Sequence, residues 1–251
     1  MATGVAHRLT RCGFRVCLTE ISQPLAVRRA VSFCEAVFEG QMEVEGILAR
    51  RVAGKEEISR AWDEGKVPVV VDPECTIRQV LNPDVFVDAI LAKRNTGTRI
   101  TDAPLVIGLG PGFLADGDVH WVIETNRGHR LGKVIEEGEA EPDTGIPGEI
   151  SGYTRERVLK APVGGKFRGK KRIGDRVERG EVLAEVEGIP LESKIAGVLR
   201  GIVRDGLPVQ EQMKVGDIDP RGIREHCFTI SEKAQAIGEG VLEAVLMRYN
   251  K

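Results

Sequence analysis

Apolar positions along the chain fall into short runs separated by stretches of helical spacing. The opening, Ala2 to Leu9, reads as a helix that Gly13 stops as a C-terminal cap. Phe14-Arg15-Val16-Cys17-Leu18 then leads into Thr19 and Glu20. Pro24 begins a second predicted helix reaching Phe38, with Val27, Ala30, Val31, Cys34 and Phe38 on one face. Gln41 to Val52 predicts a short hairpin with Gly46 near its turn, and Lys55 to Glu64 a helix ended by Gly65. Val67–Val71, Val85–Leu91, Leu105–Leu109 and Val119–Ile123 are the apolar runs of strands buried on both faces. Ala89-Ile90-Leu91-Ala92 suits a helix equally well.

Beyond Tyr153 the segments become short, β-like and rich in glycine. Gly165-Lys166-Phe167-Arg168-Gly169 recurs as Gly197-Val198-Leu199-Arg200-Gly201, and Val177 recurs as Val209 at the same offset. Two such halves are each too small to bury a core alone, so they are expected to interlock. Ser231 to Tyr249 predicts a helix despite Gly238 and Gly240. Its stripe of Ala234, Ile237, Val241, Leu242, Val245 and Leu246 must dock, and a return to the first domain is expected. The expected domains are 1–153, 154–222 and 223–251.

Composition narrows the function classes. The chain has 251 residues, a formal net charge of -2, 29% charged and 4% aromatic residues. That balance carries no electrostatic footprint for nucleic acid or an anionic membrane, and few platforms for base stacking. No apolar stretch has the length of a membrane span and no signal peptide is read at the start, so a cytoplasmic location is expected. Cys12, Cys17, Cys34, Cys75 and Cys227 are odd in number and lack a CxxC pair, which reads as small buried hydrophobes in a reducing compartment.

The candidate chemistry centres on Gly108-Leu109-Gly110-Pro111-Gly112-Phe113, where a buried strand runs into alternating glycines. Ligands in open parallel sheets bind beyond the carboxyl ends of strands, and glycine lets backbone N–H groups approach an anion. If packed side chains cover these glycines, such a cradle cannot form. Asp116, Asp118, His120, Glu124, Asn126, Arg127 and His129 surround the next strand. His120 and Glu124 share a face while His129 lies past a turn, so a metal centre is the weaker reading and none is assigned. Asp88 with Lys93 and Asn95 suits phosphate or a polar pterin-like ring, and a plain solvated loop is the competing reading. Asp72 at a strand end reads as a helix N-cap or a site acid, and Thr144 to Gly148 as an interdomain link. No serine lies in a G-x-S-x-G setting, so hydrolase chemistry has no support in the sequence.

In a dinucleotide-binding βαβ unit a glycine turn opens the first helix, and an acid about 20 residues on holds the ribose. Thr3, Gly4 and Glu20 stand at that spacing, without a preceding strand and glycine turn. The expected fold class is therefore α/β: an N-terminally truncated Rossmann-like, mostly parallel sheet, a small all-β domain and a C-terminal helix. The candidate cofactor-binding set is Thr3, Gly4, Glu20, Asp88, Lys93, Asn95, Gly108, Gly110, Gly112, Asn126 and Arg127.

Ala2-Thr3-Gly4, Thr19-Glu20-Ile21, Gln23-Pro24-Leu25-Ala26 and Val87 to Lys93 form one pattern with Gly108 to Phe113, Glu124 to His129 and Gly216 to Arg221. The pattern resembles the accessory (maturation) proteins of the selenium-dependent molybdenum hydroxylase system. That resemblance implies an assembly factor for a molybdenum hydroxylase client, holding a nucleotide, dinucleotide or molybdopterin-type cofactor. It also implies a missing first strand, and hence a fragment or a misassigned start. The repeated β segment resembles biotinyl and lipoyl domains, which implies a barrel-sandwich. Its hairpin, Glu187 to Glu192, lacks the carrier lysine, so only the fold carries over. Two alternatives stand beside this reading: an NAD(P)-dependent oxidoreductase using Glu20 and the polar set at His120, and an interaction module with no small ligand. A homo-oligomer is left open.

Overall fold

The apolar runs become strands, but they assemble into several small sheets. The computed structural model describes Met1–Asn250. Its first elements are α1 (Ala2–Arg11), β1 (Leu18–Glu20), α2 (Ala36–Glu39), β2 (Gln41–Val44), β3 (Ile47–Val52) and α3 (Lys55–Asp63). There follow β4 (Val67–Val71), α4 (Arg78–Leu81), β5 (Val85–Asp88), β6 (Leu105–Leu109), β7 (Leu114–Ala115), β8 (Trp121–Ile123), β9 (Val134–Ile135) and β10 (Gly138–Glu139). The β-rich stretch holds β11 (Val158–Lys160), β12 (Gly165–Gly169), β13 (Arg176–Val177), β14 (Val182–Val186) and β15 (Ile189–Glu192). It continues with β16 (Gly197–Ile202), β17 (Pro208–Val209) and β18 (Lys214–Asp219), before α5 (Glu232–Tyr249). The chain divides into two compact units. Unit 1 is Met1–Thr19, Val52–Gly145 and 230–250, and unit 2 is Glu20–Arg51 with Ile146–Thr229.

In unit 1 the sheet order is β5-β6-β8-β9. β5, β6 and β8 run parallel, and β9 closes the edge antiparallel. The run Leu105-Val106-Ile107-Gly108-Leu109 is buried throughout because β6 has covered faces on both sides. Leu105, Ile107 and Leu109 join Val5, Leu9, Ile123, Ile237, Val241 and Val245 in one core. Val106 turns the other way, to Phe113, Ala115, Val119 and Val122, as the alternation of a strand requires. A third cluster sets Ile58 and Ala61 of α3 against Val52 and Val70.

Helix α5 starts where Ser231 accepts the N–H of Ala234 at 3.3 Å. Its two glycines permit backbone-level contact. A methyl at Gly238 would stand 2.9 Å from the Gly4 carbonyl of α1, and one at Gly240 would overlap the Gly132 carbonyl. Gly4 and Gly132 are equally constrained, meeting the carbonyls of Ala234 and Ala236 at 2.6 and 2.5 Å. A glycine lowers helix propensity by about 1 kcal/mol, and here that loss is offset by close packing on both sides.

Unit 2 contains the β2–β3 hairpin, turning at Glu45 and Gly46, and two four-stranded antiparallel sheets, β11-β18-β16-β13 and β15-β14-β12-β17. The sequence repeat is visible here. β12 pairs with β17 and β13 pairs with β16, so each half contributes a strand to both sheets. Phe167, Leu183, Val186, Leu199, Val215 and Ile218 share the core between them. Arg157 and Asp217, both nearly solvent-free, form an ion pair at 2.5 Å inside this unit.

Two expectations are corrected. The Rossmann-like, mostly parallel sheet with an appended biotinyl or lipoyl barrel-sandwich gives way to a mixed α/β molecule of several small sheets. The apolar runs are alike in composition, yet β4 neighbours β1 while β5, β6 and β8 form a separate sheet. The helix expected from Pro24 to Phe38 is also broken. Only 3₁₀ turns at Arg29–Val31 and Phe33–Glu35 and the short α2 form there. Ser32 is extended (φ -133, ψ 122), and its hydroxyl lies 3.1 Å from the Cys34 thiol. Arg28 is drawn away to the carbonyls of His226 and Thr229, and Arg29 to that of Ile202. These long-range contacts accompany the break, and no continuous helical ladder forms.

Candidate binding clefts at the strand ends

The parallel register places Asp88 opposite Gly108 and Leu109 opposite Ile123. Asp88, Gly110 and Glu124 therefore emerge at one carboxyl edge of the sheet. Asp88 is 3% exposed, and its carboxylate accepts the Ile90 N–H at 3.0 Å and the Thr98 hydroxyl at 2.6 Å. Asn95 closes the same loop, accepting the N–H groups of Gly97 and Thr98 and donating to the Thr98 carbonyl, all at 2.8 Å. Leu91 and Lys93 hold positive φ of 60 and 62 within it. Strain at non-glycine residues concentrates where the surrounding structure fixes the chain.

Glu124 is 2% exposed and organises the neighbouring edge. It accepts the N–H of Asn126 at 2.7 Å and that of Glu141 at 2.8 Å. Asn126 donates to the Glu141 carboxylate at 2.6 Å, and Lys93 pairs with Asp143 at 2.6 Å. The Lys93 hydrogen bond holds the Asp143 carboxyl below its ordinary range. Lys93, Glu124 and Asn126 thus tether residues 141–143 across the strand ends. Arg127 pairs instead with Glu232 at the start of α5.

The glycines of the candidate set serve close packing. A methyl at Gly108 would stand 2.5 Å from the Phe113 ring, one at Gly110 would overlap the Thr125 hydroxyl, and one at Gly112 would stand 2.5 Å from the Arg94 backbone. The Gly110 N–H donates to the Ile123 carbonyl. Thr3 is buried in α1, and Gly4 meets α5 as described. Glu20 accepts its own neighbour's N–H, that of Ile21, at 2.8 Å; burial raises its carboxyl pKa against that bond. His120 has a structural role. Its Nδ1 accepts the Val106 N–H at 3.0 Å, and burial, with Arg248 nearby, lowers its pKa. Among the described residues no group of three or more histidine, cysteine or acidic side chains could hold a metal ion. Among the same residues no helix is long and apolar enough to cross a membrane.

Open space lies beside this edge, around Arg130 and Lys133, which the sequence reading did not single out. A cleft of about 560 Å³ is walled by His129 to Lys133 on one side and by Ala236, Glu239, Gly240 and Glu243 of α5 on the other. A second, of about 460 Å³, runs from Glu124, Arg130 and Lys133 past Glu136, Glu137 and Glu139 to Glu141. Arg130 and Lys133 line both. Their side chains are exposed and have no ion-pair or hydrogen-bond partner among the described residues, although carboxylates line the same clefts. The signal available in the sequence was Arg130 and Lys133 standing just before the acidic stretch Glu136 to Glu141.

No family model matches the chain. The uncharacterized protein YqeB of Escherichia coli (strain K12) is 47% identical over 247 residues, 98% of this chain and 46% of that protein. The chain therefore spans about half the length of the curated relative it matches. Among solved structures, the product-bound ectoine utilization protein EutE (DoeB) of Ruegeria pomeroyi matches at 14% identity and TM-score 0.28, over 81% of this chain and 84% of that one. A succinylglutamate desuccinylase/aspartoacylase of Rhodobacter sphaeroides matches at 11% identity and TM-score 0.26, over 81% and 84%. An aspartoacylase family protein of Mesorhizobium loti matches at 22% identity and TM-score 0.24, over 34% and 32%.

These findings correct the resemblance drawn from the sequence. The named structures are an ectoine utilization protein, a succinylglutamate desuccinylase/aspartoacylase and an aspartoacylase family protein, not accessory proteins of a molybdenum hydroxylase system, and the curated relative is an uncharacterized protein. The accessory role is withdrawn, together with its nucleotide or molybdenum-pterin ligand and the oxidoreductase and interaction-module alternatives.

Proposed function

We propose that unit 1 is a binding unit for a small molecule bearing an anionic group, held where the two clefts meet. The observation that carries this reading is the pair Arg130 and Lys133, shared by both clefts and unpaired among nearby carboxylates. An exposed ion pair contributes only about 0–1 kcal/mol, so these cations lose little by staying open to a ligand. Arg offers a planar fork and Lys a mobile ammonium, which together suit carboxylate or phosphate. The position agrees with the general rule that ligands of parallel sheets sit beyond the strand ends. Of the residues singled out in the sequence, Lys93, Asn126, Asp88 and Asn95 would act as rim residues by fixing segments 89–98 and 141–143. Calorimetric titration with citrate and with pyrophosphate tests the reading. Binding to the intact protein, weakened about tenfold or more (about 1.4 kcal/mol) in R130A/K133A, is the expected result. No binding of either probe, or equal binding by the double variant, overturns it.

A further inference from the structure

The larger cleft carries charge of both signs on fixed, opposed walls. His129, Arg130 and Lys133 stand on the loop wall, Glu239 and Glu243 on α5. Glu239 is already paired with Arg8 at 2.6 Å, whereas Glu243, one turn further on, is exposed and unpartnered. No ion pair closes between Glu243 and Arg130 or Lys133. The walls meet at the floor, where Gly132 and Gly240 are in backbone contact and both are buried. That contact sets the separation of the charged side chains above it. An ammonium alone would face two open cations, and a simple anion would face Glu243. A molecule with both charges complements both walls.

We infer that the occupant of this cleft is a zwitterion of the amino-acid class, its carboxylate on Arg130 and Lys133 and its ammonium on Glu243. The inference rests on the anion-binding reading above and adds the second contact. The test is an NMR-detected titration with glycine, 4-aminobutyrate and 6-aminohexanoate. Each is set against the carboxylate of equal length: acetate, butyrate or hexanoate. At neutral pH at least one amino acid should bind about tenfold or more tightly than its plain carboxylate. In E243Q that advantage should vanish through weaker binding of the amino acid, while the plain carboxylate, relieved of the Glu243 charge, binds at least as tightly as to the parent protein. In R130A/K133A both kinds of probe should weaken. Equal affinity within every pair, or an advantage that survives E243Q, overturns the zwitterion while leaving anion binding in place. If no carboxylate binds, or the double variant binds carboxylates normally, the anion-binding reading falls as well.

Discussion

Both units bury carboxylates, and they satisfy them by different means. In unit 2 the partners are cations. Asp217 meets Arg157 at 2.5 Å and Lys214 at 3.5 Å, and Asp219 meets Arg221 at 2.7 Å and Arg200 at 3.5 Å. Burial acts to raise the Asp219 carboxyl, but the hydrogen bonds from Arg221 outweigh it and hold the group below its ordinary 3.8. In unit 1 Asp102 is paired with Arg78 at 2.7 Å, but the two acids at the strand edge have neutral partners. Asp88 and Glu124 are met by the N–H groups of Ile90, Asn126 and Glu141 and by the Thr98 hydroxyl. A guanidinium pair ties one strand region to another. A carboxylate capped by amides fixes the path of the loop that supplies them. Unit 2 uses its acids to hold a core, and unit 1 uses them to shape the edge where the clefts lie.

The contrast can be broken most directly at Arg157. Arg157→Ala leaves Asp217 buried with only Lys214 nearby, and removing one partner of a buried pair costs about 3–5 kcal/mol. Urea denaturation should show that loss, and R157M/D217L should recover most of it. A cost near zero for Arg157→Ala would remove the distinction between the units. Next in size is Asp88→Ala, which leaves the Thr98 hydroxyl and the Ile90 N–H without their acceptor, at about 1–3 kcal/mol. Its distinguishing readout is local: amide exchange should quicken in residues 89–98, while β12 to β18 keep their protection. The smallest effect is read from its dependence on acid. The folded-state value of Asp219 is depressed, so its contribution is complete above about pH 4 and is lost as pH falls through the lowered value. An acid titration of Asp219→Asn should therefore lack part of the acid-induced loss of stability that the parent chain shows.

Local punctuation was readable in the sequence, whereas partnership between distant segments was not. Gly46 did mark the β2–β3 turn, and Gly65, with φ of 69, does follow the end of α3. The buried run at Leu105 became β6, and Ser231 caps the last helix. At Pro24 to Phe38 the apolar spacing was helical, but Arg28 and Arg29 make long-range contacts, to carbonyls 173 to 201 positions away, that no local pattern announces. Sheet membership was also beyond reach, since nothing in Val67–Val71 or Val85–Asp88 names its neighbour. At the candidate site, Asp88, Lys93, Asn95 and Asn126 were singled out and do lie together at one strand edge. Arg130, Lys133 and Glu243 were missed because their interest is an unmet charge in a shared hollow, which only folding reveals.

Helix α5 is notched twice, on opposite sides. One neighbour's carbonyl seats at Gly238 and another's at Gly240, only two residues along. Sliding the helix by a single residue would drive a side chain into one main-chain oxygen or the other, so the two notches act as a ratchet pawl against axial shear. The helix that carries Glu239 and Glu243 is thus seated at a fixed height against both of its neighbours.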